Sequence, residues 1–315
     1  MRDFPIGVHL GFREANVMLE RTRVADAAGL NMVWSTVGGA APDPLVVFGR
    51  AAGETTIGFG TSIVPTYPRH PIVMASQALA LEQLAPGRLR LGIGPSHKAV
   101  IEGMFGLGFE RPLAHLREYV GILRALLHEG SVKVQGEQLS AQARIDAPAP
   151  VPILVAALRP RAYRLAGELS DGAISWMSPL PYLRDQAGPA IAAGARTGGR
   201  AAPPLIAHVP VVVSEDRESV RAAFASAFGN YQRMPFYEQM MLEAGLEDAR
   251  GDVLTETMAD ALVISGDENA VAERVQGLPS FGVGELLADI VDTGETGGRD
   301  RARTLELLGA LAKDG

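Results

Sequence analysis

The sequence predicts a parallel (β/α)8 barrel, an α/β TIM-barrel fold, on three observations. Short apolar runs alternate with longer segments of helical period along the chain. Eight such runs can be placed, and a closed barrel takes eight parallel strands separated by helices better than an open sheet does. The runs are also apolar at nearly every position, the pattern of strands buried on both faces. The 315 residues suit one large α/β domain. No internal repeat, low-complexity tract or linker divides them, so residues 1–315 are expected to form a single domain. Insertions are expected after strand four and in the C-terminal third.

Ile6–Leu10 is the first strand run. Glu14–Gly29 follows with Val17, Leu19, Val24, Ala27 and Ala28 at helical spacing, and Gly29 stands where a helix C-cap belongs. Asn31–Ser35 is strand two and Pro44–Gly53 its helix. Ile57–Val64 is strand three, followed by the helix Pro71–Leu84, and Arg88–Ile93 is strand four. The glycine-rich stretch His97–Pro112 then interrupts the alternation before a helix at Leu113–His128 and a hairpin at Ser131–Ile145 turning near Gly136. Ala147–Pro152, rich in proline, reads as a loop. Alternation resumes with strand five (Ile153–Ala156), a helix at Pro160–Leu169, strand six (Gly172–Trp176) and a helix near Leu183–Gly194. Strand seven is Leu205–Val213. A helical excursion over Asp216–Gly245, broken near Pro235, and helices at Asp252–Val263 and Glu268–Leu278 lead to strand eight, Glu285–Val291. Arg299–Leu311 closes the chain.

Composition excludes several classes of function. The net charge of −7 gives no bulk attraction to nucleic acid or anionic membrane, so an anionic ligand needs a local cluster of cations. Apolar residues make up 47% of the chain and charged residues 21%, which supports a core and argues against disorder. With no cysteine there is no disulfide, thiolate metal site or cysteine nucleophile. No leader-type segment and no apolar run long enough to span a bilayer stand out, so a cytoplasmic protein is expected. None of the six histidines (His9, His70, His97, His115, His128, His208) forms a helical pair with an intervening glutamate, so no metal site is expected. His115 and His128 read as structural, and His208, inside a strand, as a core histidine. Gly92 and Gly94 lack the third glycine of a dinucleotide fingerprint. No Gly-x-Ser-x-Gly elbow is present.

In a parallel barrel the chemistry lies on the loops after the strands. That rule selects His9, Gly11 and Phe12; Ser35, Thr36 and Asp43; Ser62, Pro65, Thr66, Tyr67, Arg69 and His70; Pro95, Ser96, His97 and Lys98; Arg159 and Arg161; and Trp176 and Met177. Two segments carry distinctive chemistry. Thr61–Pro71 sets polar, aromatic and cationic residues between three prolines, which either builds a stiff active-face loop or only shapes a turn. In Leu158-Arg159-Pro160-Arg161, Pro160 suits a first helical position. A helix N-terminus flanked by two arginines suits phosphate, unless the arginines are simply solvated.

At these residues the chain resembles the luciferase-like monooxygenase superfamily, and within it the actinobacterial oxidoreductases that use coenzyme F420. The matching segments are Ala28–Trp34, Gly60–Pro71, Gly87–Gly94, Ser96-His97 with Val100–Met104, His115–Tyr119, Ala156–Arg161, Leu165–Glu168 and Asp171–Ala173, in order over about two thirds of the chain. The resemblance implies a barrel with an insertion after strand four, often a homodimer, and a deazaflavin lying across the strand ends. It also implies a non-proline cis peptide at Ser62–Ile63 bulging toward the ring. His9, Thr36, Ser62, Ile63, Pro65, Arg69, Gly94, Pro95, Ser96, Lys98, Ala157, Leu158, Arg159 and Arg161 are then the cofactor-binding candidates, the cations facing its phosphate and glutamate tail. Two departures stand out. Many relatives carry an Asp-His pair just after strand two, where this chain has Ser35-Thr36-Val37-Gly38-Gly39, and many have glycine where it has Arg159.

The resulting expectation is an F420-dependent oxidoreductase, a reductase passing hydride from reduced F420 to an activated C=C or C=N bond. A dehydroamino acid of secondary metabolism is one such acceptor, and the substrate is a small molecule or a peptide. His97 and Tyr67 are the catalytic candidates for proton delivery, with Thr36 and His9 behind them, and His97 serves equally well as a brace for loop or phosphate. An FMN-dependent monooxygenase of the same fold and a non-catalytic cofactor-binding homologue are the alternatives. Met104, Phe105 and Phe109, with the segment Tyr231–Met241, either wall an apolar substrate pocket or pack ordinarily.

Overall fold

The computed structural model describes residues 4–11, 14–251 and 253–314; Phe12, and the start of the helix expected from Asp252, lie outside them. Eight parallel strands close a barrel: β1 (Ile6–His9), β2 (Met32–Ser35), β3 (Gly58–Thr61), β4 (Leu89–Gly94), β5 (Ile153–Ala156), β6 (Gly172–Trp176), β7 (Leu205–Val213) and β8 (Glu285–Ile290). Each pairs with the next, and β8 returns to β1 with Ala288 opposite Val8. The fold class is therefore as the sequence implies. Strands β5, β6 and β7 and the helices Pro71–Leu84 and Pro160–Leu169 have the expected limits.

The differences have local causes. The third strand run is split: β3 stops at Thr61, the Ser62–Ile63 peptide is cis as the resemblance implies, and Val64–Pro65 resumes pairing against Ile93 and Gly94 of β4. The stretch from His97, irregular by its glycine content, contains a two-turn helix, Lys98–Phe105, which ends on Gly106 at a φ of 66°. The helix expected at Leu183–Gly194 passes through a π-helical turn, Leu183–Ala187, before Gly188–Thr197. The helix expected from Asp252 starts instead at Glu256, where the Thr255 side chain caps Met258 N. An extra short strand, Ile264–Gly266, flanks β7. The hairpin forms as expected, Ser131–Gln135 antiparallel to Ser140–Arg144.

Alternation inside the barrel positions the site. Successive strand residues point to opposite faces. The inward ones Met32, Trp34, Leu154, Ile174, Ile206 and Leu287 form a buried cluster of their own, separate from the larger core between strands and helices. The large residues fit because glycines stand opposite them. A Cβ on Gly7 would lie 2.6 Å from Trp34 Nε1, and one on Gly60 would lie 2.2 Å from Trp34 Cε3. At the N-terminal end, Arg90 of β4 reaches across to the buried Glu285 of β8 and closes the floor with an ion pair.

Filling the space beside Trp34 costs packing energy. Gly60→Ala is expected to lower the unfolding free energy by about 1–3 kcal/mol in a urea titration. Trp34→Phe in the same chain should recover part of the loss, because it vacates the contact.

Candidate functional site at the barrel mouth

Two residues beyond the apolar interior cluster the inward-facing rows reach the mouth, and there most of them turn polar, the exceptions being Ala156 of β5 and Gly94 of β4. Thr36 follows Trp34, Trp176 follows Ile174, His208 follows Ile206 and Asp289 follows Leu287; His9, Ser62 and Gly94 occupy the same level after Gly7, Gly60 and Gly92. Side chains from six strand ends thus converge at the mouth.

One network runs through it. The Thr36 hydroxyl donates to the Ser62 carbonyl, at 2.7 Å, so the barrel end of the cis peptide is tied to strand two. His9 Nε2 lies 3.1 Å from Thr36 Oγ1. The other nitrogen, Nδ1, faces Asp289 Oδ2 at 3.4 Å, and His208 Nε2 approaches the same oxygen at 3.6 Å. Burial by itself would raise the Asp289 carboxyl, but the charge and hydrogen bonds of His9 and His208 outweigh it and hold the group well below the usual carboxylate range. Burial pushes His208 down to about 4, so this imidazole is neutral at pH 7. The three groups bring a set of metal-ligand type within 4.8 Å of one another. A search for helical His pairs cannot find such a set, because its members come from three strands.

Aromatic rings extend the layer toward the loops. Trp176 packs on His208 at 4.2 Å and meets Tyr231 edge-on at 5.7 Å, and Tyr231 meets His97 at 6.1 Å. Tyr231 belongs to the insertion after β7, so that insertion helps wall the mouth. Within the same segment Met240 and Met241 are fully buried core residues. Met104 is exposed, with its sulfur against the Gly39 turn of the β2 loop.

The proton-donor candidates fare differently. Tyr67 donates its hydroxyl to the Glu110 carbonyl at 2.7 Å, and its ring stacks on His115 at 4.0 Å. That proton is already engaged, and burial raises the phenol's pKa further. Tyr67 is built in as a brace between the β3 loop and the following helices. His97 is the N-cap residue of Lys98–Phe105, packed against Tyr231 and Tyr237, and burial lowers its pKa. His9, ranked behind both in the sequence, sits at the centre of the network.

The candidates for an anionic tail gather at the ends of β4 and β5. Pro95 and Ser96, the latter at a φ of 64°, lead from Gly94 into the helix Lys98–Phe105, while Ala157 and Leu158 lead from β5 into Pro160–Leu169. Neither helix N-terminus receives a side-chain cap, so the first-turn N–H groups of both keep donor capacity. Lys98 and Arg161 are exposed there. Arg159, the departure from glycine, turns instead to Glu243 of the insertion, Nη2 to Oε1 at 2.7 Å, and leaves its buried Nη1 without a partner. Arg69 pairs with Asp43 at 2.8 Å. Pro65 continues the β3 run beside Gly94, whose missing side chain leaves room for Ile63 and Ala156: a Cβ there would lie 2.9 Å from Ala156 Cβ.

The buried neutral His208 has a thermodynamic signature. Its folded pKa lies below its unfolded value of 6.5, so the unfolded chain takes up the proton first as pH falls. Stability from this group is complete above pH 6.5 and is lost between pH 6.5 and about 4. His208→Gln is expected to flatten that fall by up to about 3 kcal/mol relative to the parent chain, measured by urea titration at a series of pH values.

Comparison with known proteins agrees with this architecture. Residues 7–285 match the family model described as luciferase-like monooxygenase. An F420-dependent glucose-6-phosphate dehydrogenase of Beutenbergia cavernae is 34% identical over 290 residues, covering 86% of each chain. A 5,10-methylenetetrahydromethanopterin reductase of Methanolobus tindarius is 27% identical, covering 82% of this chain and 83% of its own. Among solved structures, the coenzyme F420-dependent tetrahydromethanopterin reductase of Methanopyrus kandleri superposes with a TM-score of 0.76 at 23% identity, covering 98% and 97% of the two chains. A polar layer at the mouth of a parallel barrel, a broken third strand and a match along most of its length place this chain in the luciferase-like monooxygenase family.

Proposed function

We propose that the protein is an F420-dependent oxidoreductase, working as a reductase that delivers hydride from reduced F420 to an activated C=C or C=N bond of a small molecule or peptide. The observation that carries this reading is the pair of uncapped helix N-termini, with Lys98 and Arg161 beside them, at the ends of two adjacent strands. Backbone donors and exposed cations suit the phosphate and carboxylates of the F420 tail. Ser96, Lys98, Leu158 and Arg161 would hold that tail, with the backbone of Gly94, Pro95 and Ala157 alongside, and Arg159 would offer its unpartnered Nη1. Ser62, Ile63, Thr36 and His9 would face the ring. When bound, the cofactor supplies hydride; the chain's own part is to hold donor and acceptor together and to exclude water. The relatives named for F420 support the same cofactor.

On this reading residues 1–315 act as one domain. None of the described helices is long and apolar enough to cross a membrane, and we place the protein in the cytoplasm as a homodimer. An acceptor such as a dehydroamino acid of secondary metabolism fits the reductive direction.

Fluorescence titration of the purified protein with F420, and separately with FMN, tests the cofactor. F420 should bind and FMN should bind more weakly; tight FMN binding with none for F420 would replace this reading with an oxygen-activating one. Arg161→Ala and Lys98→Ala should each weaken F420 roughly ten-fold, the scale of one charge-assisted hydrogen bond, while leaving the unfolding curve unchanged.

A further inference from the structure

The hydrogen bonds of the mouth fix a proton inventory. Thr36 has one hydroxyl proton, and it goes to the Ser62 carbonyl. Thr36 Oγ1 can therefore only accept from His9, which places a proton on His9 Nε2. A neutral ring protonated there would turn the Nδ1 lone pair toward the Asp289 carboxylate at 3.4 Å, lone pair against anion. A second proton, on Nδ1, converts that repulsion into an ion pair. His208 cannot supply the missing positive charge. It is more than nine-tenths buried, its Nε2 reaches only the same Asp289 oxygen, at 3.6 Å, and its ring lies 5.1 Å from that of His9. The other groups facing the pair are the Trp176 and Tyr231 rings on the loop side and Arg301 of the closing helix, a cation that acts on Asp289 through space. Among the described residues of this layer Asp289 is the one carboxylate, and His9 Nδ1 is the imidazole nitrogen nearest it.

We infer that His9 stands in the mouth as an imidazolium, held charged by Asp289 and aimed by Thr36, and that it is the acid of this site. The inference rests on the F420 reading and adds to it the group that delivers the proton. A site set up for alcohol oxidation needs an unprotonated base at neutral pH, and this pair offers a proton instead. The acceptor is then a double bond polarised toward oxygen or nitrogen, an enone, imine or dehydroamino acyl group. Two electrons and one hydrogen arrive at carbon as hydride, oxidising the reduced cofactor. The negative charge that develops on the far atom takes the proton from His9 Nε2, Thr36 releasing its hydrogen bond. His9 is left neutral, with its remaining proton on Nδ1 toward Asp289, and recovers the lost one from solvent. Asp289 is a positioning residue, since it acts through His9.

The experiment follows the His9 ring nitrogens by 15N NMR in the cofactor-free protein, assigned with His9→Gln. In the parent chain both His9 ring nitrogens should carry protons at pH 7. In Asp289→Asn the Nδ1 proton should be gone at that pH, and Asp289→Glu should restore it. A parent His9 that is neutral at pH 7 overturns the inference. So does an Asp289→Asn variant whose His9 titrates as before, or a stoichiometric divalent metal on the purified protein. Turnover gives the second readout: with F420 and an enone or imine acceptor, Asp289→Asn should move the alkaline limb of the kcat profile down by more than one pH unit, with F420 affinity unchanged within two-fold. Unchanged limbs overturn the acid role. Failure of F420 to bind a protein whose His9 titrates as described would count against the cofactor reading alone.

Discussion

Inside a closed parallel barrel the inward side chains stack in layers filled by alternate strands, and along any one strand successive inward positions are two residues apart. That spacing is the constraint on which the rest of this structure depends. Trp34 is too large for its layer unless neighbouring strands give up their side chains, and Gly7 and Gly60 do so. With the middle layer filled by Trp34, Leu154, Ile174, Ile206 and Leu287, the core ends abruptly, and the next inward position on each strand meets the mouth. His9, Thr36, His208 and Asp289 are at the site because their strands reach it in phase. A one-residue slip in any of them would turn the side chain into the helix layer.

A carboxylate placed in such a layer needs compensation, because desolvation disfavours its charge. Asp289 finds it in two imidazoles on different strands, one of which burial keeps neutral. The two histidines therefore differ in role although they flank the same oxygen. His208 is walled in by Trp176, and the neutral form costs least there. His9 reaches Thr36 and, through it, the carbonyl of the cis peptide. Strands one, two, three, seven and eight are joined in this way by a handful of polar contacts at the end of the barrel where chemistry belongs.

The fold was legible in the sequence because double-sided burial leaves continuous apolar runs and helices leave a period. β5, β6 and β7 were placed to the residue on that basis. The differences fall where backbone geometry, rather than side-chain pattern, decides: β3 ends at Thr61 inside an apolar run, at the cis Ser62–Ile63 peptide that only the family resemblance implied, and the Lys98–Phe105 helix forms inside a glycine-rich stretch. The site was legible strand by strand but not across strands. Loop-end rules found His9, Thr36 and Trp176. They passed over Asp289, which lies within a strand run, and they set His208 aside as a core histidine, which by burial it is. Pairing these residues requires knowing that β1, β7 and β8 are neighbours, and that is topology, not local pattern. Tyr67 shows the converse. It stood on the right loop, yet its hydroxyl is committed to Glu110, a contact 43 residues away.

The two departures from related sequences belong together in this light. The chain lacks an Asp-His pair after strand two, and Thr36 there offers only a hydroxyl. Titratable chemistry is instead carried by strands one, seven and eight, with Thr36 keeping the role of aligning it. Arg159, in place of glycine, would crowd a cofactor tail if it pointed across the β5 end, but Glu243 draws it toward the insertion after β7. That insertion also supplies Tyr231, which packs on both His97 and Trp176. An ion pair at one edge and an aromatic ladder at the other thus fasten the same segment over the mouth. Fastening it there limits water around His9 and Asp289, and excluding water is what strengthens an ion pair in a partly enclosed site.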